Sequence, residues 1–128
     1  MFFAGIDIGS TITKVVIKDE TDICSTVIIP TGAEHRRLAH KIMEEALGKA
    51  NLTFDEIDYI VATGYGRINV HFADSQVTEI ACHMRGINWL FPDVKTIIDI
   101  GGQDSKGIKV KNGKLDNFVM NDKCAAGT

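Results

Sequence analysis

The sequence lacks the features that mark several large classes of protein. It has no long apolar run, since stretches such as 27–29 are far too short to cross a bilayer. It has no excess of positive charge, with 14 Lys and Arg against 17 Asp and Glu and a formal net charge of −3. The first residues lack the basic region of a signal peptide and meet an acid at Asp7. Because nucleic-acid binding needs a basic face, we expect neither nucleic acid nor a membrane among its partners.

Cysteine is also scarce, with three residues at positions 24, 82 and 124. An odd number of widely spaced cysteines is not the pattern of a secreted disulfide framework, and it favours a reducing, cytoplasmic location. Cys24 lies in an apolar stretch and is predicted to be a small core residue. The 128 residues are otherwise ordinary, 45% hydrophobic and 24% charged, which predicts a modest globular chain rather than a disordered one.

An internal repeat organises the chain. The residues Ile-Asp-Ile-Gly at 6–9 recur at 98–101, a shift of 92 residues (99 − 7). Lys14 recurs as Lys106 at the same shift (106 − 14). Strand-like segments flank each copy, so the simplest interpretation is two β-hairpins of one design.

The segments around the two copies predict an α/β unit. Apolar residues at every fourth position predict an amphipathic helix over roughly 33–50, and a second helix is predicted to end before Pro92. Thr-x-x-Glu patterns predict capping boxes that begin at Thr31 and Thr53. The dipeptide Asn112–Gly113 between apolar runs predicts a two-residue hairpin turn.

The predicted order is β-β-β-α-β-α, after which β-β-β begins again. We therefore expect a first domain at 1–93 and the opening β-meander of a second domain at 94–128. A lone meander leaves an apolar face and open edges, so this second domain is expected to be truncated.

Both predicted hairpins carry residues suited to holding phosphate. A glycine after the Asp lets the backbone approach a ligand closely, and the N–H groups of such a turn form an anion-binding concavity. The candidate binding residues of the first loop are Gly9, Ser10, Thr11, Thr13 and Lys14. Those of the second loop are Gly101, Gly102 and Lys106. Two such loops facing across a cleft would hold a nucleotide.

The acidic and amide side chains of the loops are the candidate catalytic residues. Asp7 and Asp99 suit Mg²⁺, which prefers oxygen ligands and keeps several waters, so that Asp7 would hold it through water. Gln103 and Asp104 are candidates for orienting the attacking water, because phosphoryl transfer depends mostly on positioning and charge stabilisation.

These residues resemble a known family. The segments 3–14 and 98–106 are similar to the two phosphate loops of the actin, sugar-kinase and Hsp70-type ATPase superfamily, which has an RNase H-like fold. The stretches 62–67, 78–83 and 98–104 resemble the activator component of 2-hydroxyacyl-CoA dehydratases, such as that of 2-hydroxyglutaryl-CoA dehydratase. The ATP-binding subunits of benzoyl-CoA reductase are relatives. The most specific stretch is Asn-Asp-Lys-Cys-Ala-Ala-Gly-Thr at 121–128.

The resemblance implies a homodimer with one [4Fe–4S] cluster at the subunit interface, to which each subunit gives two cysteines. ATP hydrolysis to ADP, with Mg²⁺, would drive one-electron transfer from the cluster to the dehydratase component. Cys124 would be the first iron ligand. The second would lie beyond Thr128, so the 128 residues alone are expected to be inactive and without a stable cluster.

Two other functions stay open from the residues themselves. The phosphate loops fit a small-molecule kinase without a cluster equally well, although Cys124 in its motif favours the activator. A non-catalytic, truncated ATP-binding module is the third possibility. On the second helix, Glu79 either pairs with His83 or faces the cleft, and the resemblance does not distinguish these.

Overall fold

The computed structural model of the chain describes residues 1–101 and 104–121. These residues form two compact units. The first unit is Met1–Val77 and the second begins at Thr78.

The first unit is a five-stranded sheet with one long helix. Its strands are β1 (Phe2–Ile8), β2 (Ile12–Lys18), β3 (Ile23–Pro30), β4 (Ile57–Thr63) and β5 (Ser75–Gln76), and its helix is α1 (His35–Ala50). The strand order is β3-β2-β1-β4-β5. The pairs β1–β2 and β2–β3 are antiparallel, whereas β1–β4 and β4–β5 are parallel.

Alternation along the strands builds the core of this unit. Every second residue is buried from Ala4 onward in β1 and from Thr13 onward in β2, as a half-covered strand requires. Helix α1 packs on this face with the apolar side of its 3.6-residue period. The fully buried aliphatic and Met side chains include Ile6, Ile8, Val15, Ile17, Ile42 and Met43.

Two local predictions for the first unit are wrong. The capping box predicted at Thr31 is absent. Helix α1 begins after Glu34 and has no side-chain cap, and the Thr31 hydroxyl instead lies 2.7 Å from that of Thr13. Cys24 is exposed rather than in the core. Strand β3 is at the sheet edge, and its alternation turns Ser25 and Val27 inward, so that Cys24 points the other way.

The capping box at Thr53 is confirmed. The backbone N–H of Thr53 donates to Oε1 of Glu56 at 3.1 Å, at the start of a short 3₁₀ turn over Phe54–Glu56. This turn leads directly into β4.

The second unit is an antiparallel meander with one helix. Its elements are α2 (Glu79–Leu90), β6 (Thr96–Ile100), β7 (Ser105–Lys111) and β8 (Lys114–Asn121), and the strand order is β6-β7-β8. Helix α2 packs on the three strands. The small core contains Ile80, Met84, Ile97, Ile108 and Val110. The domain division at 93/94 stays a prediction. The boundary between the two compact units falls between Val77 and Thr78 along the chain, because α2 packs on the sheet of the second unit.

The turn between β7 and β8 confirms the hairpin predicted there. Asn112 has φ 53° and Gly113 has φ 73°. Positive φ at both central residues is the requirement of a type I′ turn, whose twist matches the strands it joins. Across the described ranges, we find no helix with the length and apolar character needed to span a bilayer.

Candidate functional site: two acid–lysine hairpins

The first hairpin of the repeat joins β1 to β2. Asp7 and Lys14 are directly opposite each other in the ladder, and Nζ of Lys14 lies 3.3 Å from Oδ2 of Asp7. The turn closes with a hydrogen bond from the Gly9 N–H to the Ile12 carbonyl at 3.1 Å. A carboxylate and an amine are thus held together beside a tight glycine turn.

The second hairpin joins β6 to β7 with the same geometry. Asp99 and Lys106 are cross-strand partners, and the Gly101 N–H donates to the Asp104 carbonyl at 2.8 Å. Each position corresponds to one in the first hairpin at the 92-residue shift (104 − 12). The prediction of two hairpins of one design is therefore confirmed in register and turn closure.

The backbone folds closely on itself at Gly9, whereas at Gly101 the nearest neighbour of an added Cβ would be a side chain. A Cβ added at Gly9 would lie 2.8 Å from the Ile12 carbonyl oxygen, closer than real Cβ contacts. One added at Gly101 would lie 3.1 Å from Oδ1 of Asp104. The turns are therefore bare of side chains at these points, which leaves the backbone approachable by a ligand.

The remaining candidates of the first loop divide into exposed and buried residues. Ser10 and Thr11 are exposed in the turn. Thr13 is fully buried, and its hydroxyl already has a protein partner in Thr31. The Thr31 N–H also donates to the Thr11 carbonyl at 2.9 Å. Thr31, which directly follows β3, is thus tied to the first hairpin at two points.

The two lysines differ in their surroundings. Lys14 is 45% exposed, whereas Lys106 is 9% exposed. Nζ of Lys106 lies 2.9 Å from Oδ1 of Asp104 and 4.0 Å from Oδ2 of Asp99. Asp104 therefore lies beside the lysine of its own hairpin, a contact that the first hairpin lacks because Ile12 stands at the equivalent position.

His83 is a site residue that sequence reasoning did not place. Its Nδ1 lies 2.6 Å from Oδ2 of Asp99, so that α2 supplies a polar side chain to the second hairpin. The sequence left Glu79 either pairing with His83 or facing the cleft, and it gave no contact between His83 and Asp99. The packing of α2 on the sheet brings His83 to Asp99. In the sequence, the one indication of this role was a histidine about one turn into the predicted second helix.

A glycine loop after β4 lies against the first hairpin. Gly64 has φ +91°, and a Cβ there would collide with Oδ1 of Asp7 and the Ile8 carbonyl oxygen. The Gly66 N–H donates to the Ile8 carbonyl at 2.9 Å. Nη1 of Arg67 donates to the Gly64 carbonyl at 3.0 Å, which holds the loop in place.

Some candidates lie outside the described residues, namely Gly102, Gln103 and Cys124. Among the residues that are described, no group of three or more His, Cys, Asp and Glu side chains is arranged to hold a metal ion.

Comparison with known proteins identifies the family of the chain. The family described as the BadF/BadG/BcrA/BcrD ATPase family matches residues 4–128. The 2-hydroxyisocaproyl-CoA dehydratase activator of Clostridioides difficile is 47% identical over 130 aligned positions, which cover 100% of this chain and 48% of the relative. The chain thus spans about half the length of the curated relatives it matches.

Among solved structures, two proteins of dehydratase systems are also similar to this chain. Component A of (R)-2-hydroxyglutaryl-CoA dehydratase from Acidaminococcus fermentans has a TM-score of 0.91 at 41% identity, covering all of this chain and 50% of that one. The activator of the 2-hydroxyisocaproyl-CoA dehydratase from Clostridium difficile, solved with bound ADPNP, has a TM-score of 0.89 at 48% identity, with 100% and 48% coverage.

More distant structures share the fold alone. The ROK hexokinase of Thermus thermophilus has a TM-score of 0.63 at 17% identity, covering 91% of this chain and 48% of that one. The predicted fold class, an α/β actin-like and sugar-kinase-like ATPase fold, is confirmed, as is the resemblance to the dehydratase activators. From its matched residues, its hairpins and its similarity to these structures, the chain belongs to the BadF/BadG/BcrA/BcrD ATPase family.

Proposed function

We propose that the full-length protein is an ATP-dependent activator of a 2-hydroxyacyl-CoA dehydratase. In this proposal ATP hydrolysis is coupled to the transfer of one electron to the dehydratase component. The names of the most similar relatives support the partner, and the ADPNP in one of the similar structures supports the nucleotide.

The observation that carries the proposal is the matched register of the two hairpins, Asp7 with Lys14 and Asp99 with Lys106. The exposed amine of Lys14 is able to leave Asp7 and meet a phosphate, since an exposed ion pair is held only weakly. The N–H groups of the glycine turns add donors for phosphate oxygens.

Asp7 and Asp99 would organise Mg²⁺ and the attacking water. Bound Mg²⁺ supplies charge that neutralises the phosphates. The carboxylates accept hydrogen bonds from water and so orient it, and Asp104 and Gln103 are further candidates for this role. Catalysis of this kind needs fixed donors and acceptors more than covalent chemistry.

The cluster proposal has a different basis, the resemblance of 121–128 to the activators. A [4Fe–4S] cluster needs four ligands, which are usually thiolates, so Cys124 alone is insufficient. A second cysteine from each subunit of a homodimer would complete the set. Cys24 and Cys82 belong to different compact units of the structure, and neither is proposed as a ligand.

The ATPase proposal is tested with Asp99→Asn in the full-length protein. We expect phosphate release from ATP to be abolished while the anaerobic absorption spectrum of the cluster is unchanged. Asp93→Asn, an exposed carboxylate of the same unit, is the matched control and should hydrolyse ATP normally. Wild-type turnover by Asp99→Asn would remove this residue from the site.

The redox proposal is tested separately. Full-length protein purified or reconstituted without oxygen should be brown and contain iron. Once an added low-potential reductant has reduced its cluster by one electron, the protein should pass that electron to the dehydratase component only when ATP is present. A colourless, iron-free protein that still hydrolyses ATP would overturn the redox assignment and leave a kinase or simple ATPase.

A further inference from the structure

We propose that His83 is a positioning residue that fixes the carboxylate of Asp99 for ATP hydrolysis. This inference rests on the proposed ATPase function and adds a residue to it. It is carried by the contact between Nδ1 of His83 and Oδ2 of Asp99 and by the contrast between the two hairpins.

The direction of the hydrogen bond follows from the chemistry of the two groups. An ionised carboxylate only accepts hydrogen bonds, so Nδ1 of His83 carries the proton and donates it. A separation of 2.6 Å is short for a nitrogen donor, as expected when the acceptor is charged. The side chain of His83 is 36% exposed, and the helix that carries it is held by Ile80 and Met84, which are buried in the core of this unit.

The first hairpin serves as an internal comparison. There the lysine itself lies beside the aspartate, at 3.3 Å. In the second hairpin the amine lies 2.9 Å from Asp104 and 4.0 Å from Asp99, while His83 lies at hydrogen-bond distance from the aspartate. A rigid aromatic donor on a helix has thus replaced a flexible amine as the near neighbour of Asp99.

The contacts of Asp99 converge on one of its two carboxylate oxygens. Both His83 and Lys106 approach Oδ2 of Asp99. Within the residues that the structure describes, no hydrogen bond or ion pair to Oδ1 is found. His83 therefore holds the carboxylate in one orientation, with Oδ1 left for water or hydrated Mg²⁺.

The kinetic test uses three substitutions of His83 in the full-length protein. His83→Ala removes the donor, and we expect kcat for ATP hydrolysis to fall about 10–100-fold, since a misplaced group costs rate, with KM for ATP changed by less than about threefold. His83→Asn keeps an N–H on the atom bonded to Cγ, where Nδ1 stood, and should restore most of kcat. His83→Gln carries its N–H one bond further out and should not.

Arg85→Ala, an exposed position on the same helix, is the matched control and should leave kcat unchanged. If the wild type hydrolyses ATP and His83→Ala has the same kcat, the positioning role is wrong. Equal losses in the Asn and Gln variants would also contradict it, because a merely structural role does not distinguish the two amides. An inactive wild type would contradict the proposed ATPase function instead.

A spectroscopic test does not depend on turnover. Nitrogen NMR of His83 in the full-length protein without nucleotide should show a proton on Nδ1 that exchanges slowly with water. In Asp99→Ala the exchange of that proton should no longer be slow. A ring protonated only at Nε2 in the wild type would overturn the inference.

Discussion

Lys14 and Lys106 hold equivalent positions in the two hairpins, yet the side chain of Lys14 is 45% exposed and that of Lys106 is 9% exposed. The register of the strands is the same, so the difference comes from the neighbours. Asp104 and Asp99 both lie within 4.0 Å of the second amine, whereas among the described residues Asp7 is the one carboxylate paired with the first. Two copies of one motif have therefore acquired different physical roles.

Replacing each lysine with methionine should separate these roles. Lys14→Met should change the free energy of unfolding by less than about 0.5 kcal/mol, because exposed ion pairs contribute little. Lys106→Met should lower it by about 1–3 kcal/mol, because it leaves charged hydrogen-bond partners uncompensated. Urea unfolding of both variants measures this, and equal losses would contradict it.

Gly64→Ala should destabilise the first unit. The positive φ and the collision with Asp7 and Ile8 together should lower the free energy of unfolding by about 1–3 kcal/mol. Gly48→Ala is the matched control in helix α1, where an added Cβ meets nothing within 4 Å, and should raise it by about 0.5–1 kcal/mol. Denaturant titrations that move both variants in the same direction would refute the argument.

Gly113→Ala should weaken the hairpin between β7 and β8. Gly113 has φ 73°, and an added Cβ would lie 3.3 Å from Nδ2 of Asn88. A left-handed conformation costs a residue with a side chain about 1–2 kcal/mol, and we expect a loss of this size in thermal or urea unfolding. Gly32→Ala, which meets nothing within 4 Å, should be nearly neutral. A neutral Gly113→Ala would contradict the turn assignment.

Asp19 should make stability depend on acid pH. Its Oδ1 accepts hydrogen bonds from the N–H groups of Asp22 and Thr21 at 2.7 and 2.8 Å, and these, the Asp22 bond foremost, hold the pKa of Asp19 below its ordinary value of 3.8. A lowered pKa gives stability that is complete above the unfolded value and is lost as pH falls through the folded one.

We therefore expect the stability of the wild type, measured relative to Asp19→Asn, to decline as the pH is lowered below 3.8. Urea unfolding at a series of pH values tests this. A difference between the two proteins that stays constant across that range would show that the turn does not favour the ionised carboxylate.

The sequence was informative where spacing along the chain determines structure. The repeat of Asp, Gly and Lys at one shift predicts two hairpins of one design, and in the structure a tight turn and two regular strands fix the same register in both. The turn at Asn112–Gly113 could also be predicted, because few residues adopt the positive φ that a two-residue hairpin turn requires. These features need no knowledge of the rest of the molecule.

The sequence was less informative where contacts between distant parts of the chain determine the partner or the burial of a residue. Thr31 looked like a helix cap, but its hydroxyl pairs with Thr13 of a neighbouring strand. Cys24 looked like a core residue, but edge strand β3 has apolar residues on both faces, with Ile23 50% and Ile28 68% exposed. His83 meets Asp99 only because α2 packs on the second sheet. No local pattern encodes these contacts.

The two links from Thr31 to the first hairpin have a mechanical consequence. One joins its hydroxyl to Thr13 and the other joins its N–H to the Thr11 carbonyl. Residue 31 lies on the short connection that enters α1, so a displacement of the turn has to break these two hydrogen bonds or carry that connection with it. Under the proposed function, the release of phosphate from this hairpin would thereby act on the start of the longest helix among the described residues.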